Sequence, residues 1–229
     1  MNTSLRSRKT RRGVIGIESA IVMIAFVIVA AALAFVVLNM GFSTTQKAKS
    51  AISSSITEAS SSLEIAGKVT GIGYVSAGKL NATIIPLKIA GGGDSVNLDP
   101  ATTSIKYYSD SVRYDNIYGT GCALTGPTYS NATGAFTAGS ACIGATNPSG
   151  PSAGVPAATK ALVYWDVSNS PQNKILDSGE HAELAISYDG ADRPSSLDNI
   201  RVEIVVPTGS ALTVERAVPS ISTSVVDLG

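Results

Sequence analysis

The sequence predicts an α+β protein: a long N-terminal α-helix followed by an immunoglobulin-like antiparallel β-sandwich. Three observations carry the prediction. Residues 14–38 are a run of 25 in which Glu18 is the only charged side chain. Beyond the run, Ala48, Ala51, Ile52, Ile56, Ala59 and Leu63 recur at spacings of three and four among Ser, Thr, Lys and Glu, which marks one face of a helix. From residue 68 onward the apolar residues collect instead in short β-branched and aromatic segments, split by Gly, Pro, Asn and Asp clusters such as "AGGGD" and "YDGADRP". A chain of 229 residues has room for one or two domains with a proper core.

The first element is residues 1–13, a basic leader without an acid. Arg6, Arg8, Lys9, Arg11 and Arg12 are five of the 17 Lys and Arg; the 12 that remain face 17 acids, so the rest of the chain stands at about −5. No other basic cluster exists, which argues against nucleic acid as a partner, since phosphate neutralisation needs grouped Lys and Arg.

As a helix, residues 14–38 extend about 37 Å, enough to cross a hydrocarbon core of ~30 Å. The basic leader then stays in the cytoplasm and the C-terminal bulk faces outward. A secretory signal peptide is the competing reading, favoured by the basic start and by "AAALA" at residues 30–34. Against it stand the length of the apolar run and the helical sequence that follows. With Gly67 and Gly71 as stop signals the helix covers residues 14–66, about 80 Å. A lone membrane anchor has no use for the striped second half; a helix with partners along its whole length does. Gly16 and Ala20, then Ala30 and Ala34, are small residues four apart, the spacing that lets helix backbones approach closely.

The stretch "RRGVIGIESAIVMIAFVIVAAALAFVVLNMGFSTTQKAKS", residues 11–50, closely resembles the N-terminus of archaeal flagellins (archaellins), which share their N-terminal logic with type IV pilins. The resemblance implies cleavage by a prepilin-type signal peptidase after the glycine ending the leader. In this chain that bond is Gly13–Val14, preceded by Arg11 and Arg12, and the apolar helix stays on the mature protein. It further implies a membrane-inserted precursor that a membrane platform and a cytoplasmic ATPase assemble into an extracellular helical homopolymer, with the helix as filament core and the sandwich as outer wall. Glu18 becomes the fifth residue of the mature chain. Type IV pilins carry a glutamate there, whereas many archaellins have glycine. A carboxylate at the centre of a membrane helix costs about 2.5–3.5 kcal/mol, less near the interface. Three readings remain open for Glu18: a pair with the new amine of Val14 one turn away, a pair with the amine of a neighbouring subunit that sets axial register, or an interfacial carboxylate turned toward headgroups.

Residues 67–229 form the outer domain. Segments such as "LNATIIPLKIA", "TSIKYYS", "KALVYWDV", "HAELAISYD" and "NIRVEIVVP" predict about seven to nine short strands, hence the sandwich. Residues 119–158 show weak strand signals and predict a long, exposed, loop-rich insertion. Cys122 and Cys142 lie in it; a disulfide is expected in an extracellular domain, and two unpaired thiols are the alternative. Of three N-x-[ST] sequons, Asn2 falls in the leader, while Asn81 and Asn131 face outward, where the resemblance implies N-glycosylation.

Nothing in the sequence points to catalysis, a cofactor or a metal. The single histidine, His181, has no G-x-S-x-G elbow to serve, and "AGGGD" lacks the Lys-Ser/Thr of a phosphate loop. Asp177, Glu180 and Glu183 surround a glycine turn in a way that suits calcium, but a turn with solvated acids explains them equally. The leading function is therefore a structural subunit of the archaeal flagellar filament, for swimming. Two alternatives are a type IV adhesion pilin and, in another class, a surface protein anchored singly by residues 14–38.

Overall fold

The computed structural model describes residues 12–60, 63–148, 156–167 and 170–229, and the backbone alone for 12–15 and 57–60. The chain divides into two compact units, Met1–Ser54 and Ser55–Gly229.

Helix α1 runs Arg12–Ser60, 49 residues or about 74 Å. Two polar side chains in its apolar part are satisfied within the helix: Ser19 Oγ donates to Gly16 O at 3.0 Å, and Thr45 Oγ1 to Gly41 O at 2.8 Å. Back-bonding of this kind lets a hydroxyl sit in an apolar environment without an orphaned donor.

The helix ends earlier than the expected residue 66. Leu63–Ile65 is strand β1, in which Leu63, Glu64 and Ile65 pair with Ile89, Lys88 and Leu87. The Ser run before it favours helix weakly, and Leu-x-Ile suits a strand whose charged middle residue finds Lys88 at 2.8 Å. Leu63 is thus a buried sandwich residue, not the last member of a helical stripe.

The remaining strands are β2 (Thr70–Tyr74), β3 (Lys79–Ile89), β4 (Val96–Asn97), β5 (Ser104–Ser109), β6 (Arg113–Tyr114), β7 (Tyr118–Ala123), β8 (Lys160–Val167), β9 (Ile175–Leu176), β10 (His181–Ser187), β11 (Asn199–Val205), β12 (Leu212–Ala217) and β13 (Val225–Asp227). A seven-stranded sheet has the order β13-β2-β3-β10-β8-β7, with β1 also on β3; a four-stranded sheet has the order β12-β11-β5-β6; β4 and β9 form a small pair. Among the described pairings all are antiparallel except β7 with β8, which is parallel and departs from the expected sandwich.

Cross-strand partners share a face, and successive residues alternate. Thr83–Ile186–Ala161, Ile85–Leu184–Val163 and Leu87–Ala182–Trp165 are rows on one face of the large sheet. On that face Thr83 Oγ1 meets Tyr188 Oη at 2.8 Å, and the Tyr188 ring lies 5.4 Å from Tyr107 of the second sheet. The alternate rows, Ile84–Ala185–Leu162 and Pro86–Glu183–Tyr164, face the other way.

That second face is covered by residues expected to be an exposed insertion. Within 119–158 lie the end of β7 and two short helices, α2 (Ala132–Ala138) and α3 (Ser140–Ile143). Ala135, Phe136, Cys142, Ile143 and Ala145 are buried, and Tyr129 stands edge-on to Tyr164 at 6.1 Å. Helices of seven and four residues are too short to show a helical period, so Ala, Gly, Ser and Thr richness imitated a loop. Cys122 of β7 and Cys142 of α3 are disulfide-bonded, with Cα atoms 5.3 Å apart. Sandwiched between two layers, β8 has Ala161 to Trp165 buried without interruption, the pattern of a strand covered on both sides.

Gly71, expected as a helix stop, instead lets β2 pack closely, as does Gly73. A Cβ on Gly71 would stand 2.8 Å from Leu80 Cδ2, and one on Gly73 would stand 2.6 Å from both Ile221 Cγ2 and Thr223 O. Because Thr223 O is backbone, Gly73→Ala is expected to destabilise the domain by about 1–3 kcal/mol, read as a lower unfolding midpoint of the buried Trp165 fluorescence. Reduction, or Cys142→Ser, opens a link spanning 20 residues and is expected to remove about 3 kcal/mol; an unchanged denaturant midpoint would contradict it.

Candidate self-assembly surface

Every described side chain of α1 from Gly16 to Ile56 is exposed. The apolar ones include Ile21, Met23, Phe26, Leu33, Phe35 and Phe42, with Phe26 at 76% exposure. A helix apolar around its whole circumference is stable in water only when something else surrounds it. By length and composition α1 is able to cross a membrane.

A shallow groove on α1 is lined by Val22, Ala25, Phe26, Val29, Ala30 and Leu33. Ridges of large side chains beside small ones are what a second helix packs into. Ala30 and Ala34 lie at this groove and one turn beyond it. Toward the N-terminus Gly16 and Ala20 repeat the small-residue spacing, and a Cβ on Gly16 would meet nothing within 4 Å.

Glu18 lies in the second turn of α1, exposed, and has no ion pair among the described residues. The Gly13–Val14 bond lies in the first turn, as does Arg12, known here by backbone alone. Arg11, the rest of the leader and Asn2 lie outside the described residues.

In the outer domain the predicted residues part company. Asn131 is exposed and N-caps α2, its Oδ1 accepting from Gly134 N at 2.8 Å. Its Nδ2, the nitrogen that would carry a glycan, is not used by the cap. Asn81 is buried at the shift in pairing between β2 and β3, and its Nδ2 donates to Pro148 O at 3.0 Å. Unlike Asn131, Asn81 is turned inward under the covering layer by the extra residue of the irregularity.

The three acids near the glycine turn diverge. Glu180 is buried and accepts from Ser170 N at 3.0 Å and Asp177 N at 3.1 Å, clipping its own loop. Asp177 accepts from Ser95, and Glu183 from Tyr164. Burial pushes the Glu183 carboxyl above the ordinary carboxylate range, the Tyr164 bond opposing and Asp166 adding to it. Burial, reinforced by Glu183, pushes the Tyr164 phenol upward. Among the described residues no group of three or more His, Cys, Asp or Glu is placed to hold a metal. His181 is half-buried at the start of β10, opposite Val167.

A family model described as archaeal-type flagellin matches residues 13–216. The chain belongs to this family. "Probable flagellin 1" of Aeropyrum pernix is 36% identical to it over 214 residues, covering 93% of this chain and 94% of that protein. Two solved structures share the fold of this flagellin. The archaeal flagellum of Methanospirillum hungatei has a TM-score of 0.57 at 21% identity, covering 89% of this chain and 93% of that one. Flagellin FlaB1 of Methanocaldococcus jannaschii has 0.56 at 14%, covering 73% and 96%.

For this flagellin the sequons at Asn81 and Asn131 make opposite predictions. Peptide mass spectrometry of the secreted protein is expected to find a glycan on Asn131 and none on Asn81. Asn131→Gln then abolishes the mass heterogeneity, and a modified Asn81 peptide would contradict the assignment.

Proposed function

We infer that this flagellin is a structural subunit of the archaeal flagellar filament, an extracellular helical homopolymer that serves swimming. The observation that carries the reading is the exposed apolar surface of α1, all round the helix in its first half and a stripe in its second, bare along the described residues from Gly16 to Ile56. Two surroundings satisfy such a surface, lipid and copies of the same helix. Lipid accounts for about 20 residues, and α1 has 49. Copies account for the whole length.

Residues 1–13 act as the leader, removed by a prepilin-type peptidase at Gly13–Val14; the family match begins at residue 13. Until assembly the apolar part of α1 holds the precursor in the membrane. Transfer from lipid to filament yields little hydrophobic free energy, because lipid is already apolar. The gain comes from close packing at Gly16, Ala20, Ala30 and Ala34 and from the stripe of Ala48, Ala51, Ile52 and Ile56. Extraction therefore calls for a membrane platform and a cytoplasmic ATPase. Glu18 takes the positive end of the helix dipole and pairs with the Val14 amine of a neighbouring subunit, which fixes axial register.

Sheared surface filaments are expected to contain this chain with Val14 at its N-terminus, by direct sequencing. A start near Phe35 would mark an ordinary secretory signal and sink the reading. Glu18→Ala is expected to leave cleavage intact while filament yield falls about tenfold or more, as loss of a buried charge pair does. Unchanged yield would remove the register role.

A further inference from the structure

Leu197 combines two features that its own domain does not explain. Its φ is 75°, the only positive φ among the described non-glycine residues, in a region that Gly and Asn enter readily and leucine does not. It is also 85% exposed, the highest value among the exposed large apolar side chains described. The turn is not loose. Leu197 N donates to Val218 O at 2.8 Å, and Val218 N to Asp198 O at 2.9 Å. Asp198 Oδ2 accepts from Ser195 N at 2.7 Å and from Ser195 Oγ at 2.8 Å. These bonds lock the backbone and hold the side chain out in water.

The place in the fold is also specific. Ser195 bridges to Lys79 at the β2–β3 hairpin, and Asn199 N donates to Asp110 Oδ2 in the β5–β6 turn. Three turns therefore converge at one end of the sandwich, opposite the end at which β1 pairs with β3. Val75, on the single 3₁₀ turn of the β2–β3 hairpin, and Tyr114 of β6 add further exposed apolar surface at that end.

We propose that Leu197 is a pre-set knob by which the outer domain docks onto the outer domain of a second copy of this chain. The occupant follows from the family: in a homopolymer the neighbours of each outer domain are copies of itself. A backbone already held in place loses little freedom on docking, so burial of the leucine is converted efficiently into affinity. The strained leucine lowers the stability of the isolated domain and gains contact in the filament. This inference rests on the filament reading, and the two fail separately.

The test uses filaments sheared from cells that carry Leu197→Asn, Leu197→Gly or Leu197→Met as the subunit. Asn and Gly relieve the backbone and remove the knob; Met keeps it apolar. The Asn and Gly filaments are expected to release about tenfold more subunit on dilution, measured as protein left unpelleted. The Trp165 unfolding midpoint of the released subunits stays the same or rises, and Met behaves as wild type. Wild-type release from the Asn and Gly filaments overturns the proposal. So does a fall in the Trp165 midpoint that parallels the release, since Leu197 then acts inside its own domain. Absence of filaments from wild-type cells sinks the filament reading instead.

Discussion

A helix about 74 Å long with an uncovered apolar surface is the constraint from which the other features follow. Water rejects such a surface, so the helix needs lipid or other copies of itself around it. That demand explains why small residues recur four apart, since helices gain nothing from expelling lipid unless their backbones approach closely. It explains why Ser19 and Thr45 turn their hydroxyls back onto the helix.

The outer domain solves a different problem, that of building a core from short strands. Its large sheet is insulated on both faces, by the four-stranded sheet on one side and by α2 and α3 on the other. Ile84, Ala185 and Leu162 are therefore as buried as Ile85, Leu184 and Val163. An insulated sheet is stable independently of its surface residues, which leaves the exposed turns free to serve contacts outside the domain.

The helix and the strands were legible because their periods are long enough to recognise. "KALVYWDV" reads as a strand, and its five consecutive buried residues become intelligible once both faces are covered. What escaped were features decided by tertiary partners. Leu63 fits a helical stripe and a strand equally, and the free edge of β3 decides between them. Asn81 alternates as an outward residue until the shift between β2 and β3 moves it inward. The helices α2 and α3 leave no periodic trace, so Phe136 looked like a loop residue although it is fully buried. The backbone state of Leu197 has no signature in a sequence; only its chemistry, a leucine between Ser196 and Asp198 in a polar turn, hinted that it was out of place.

The disulfide joins β7 to α3, and so ties the covering helices to the sheet beneath them by a covalent strut. A filament that turns in fluid is dragged sideways, and hydrogen bonds between layers yield one at a time under such a pull. A strut does not yield until the sulfur bond itself breaks. The covering layer is thus held to its sheet under load.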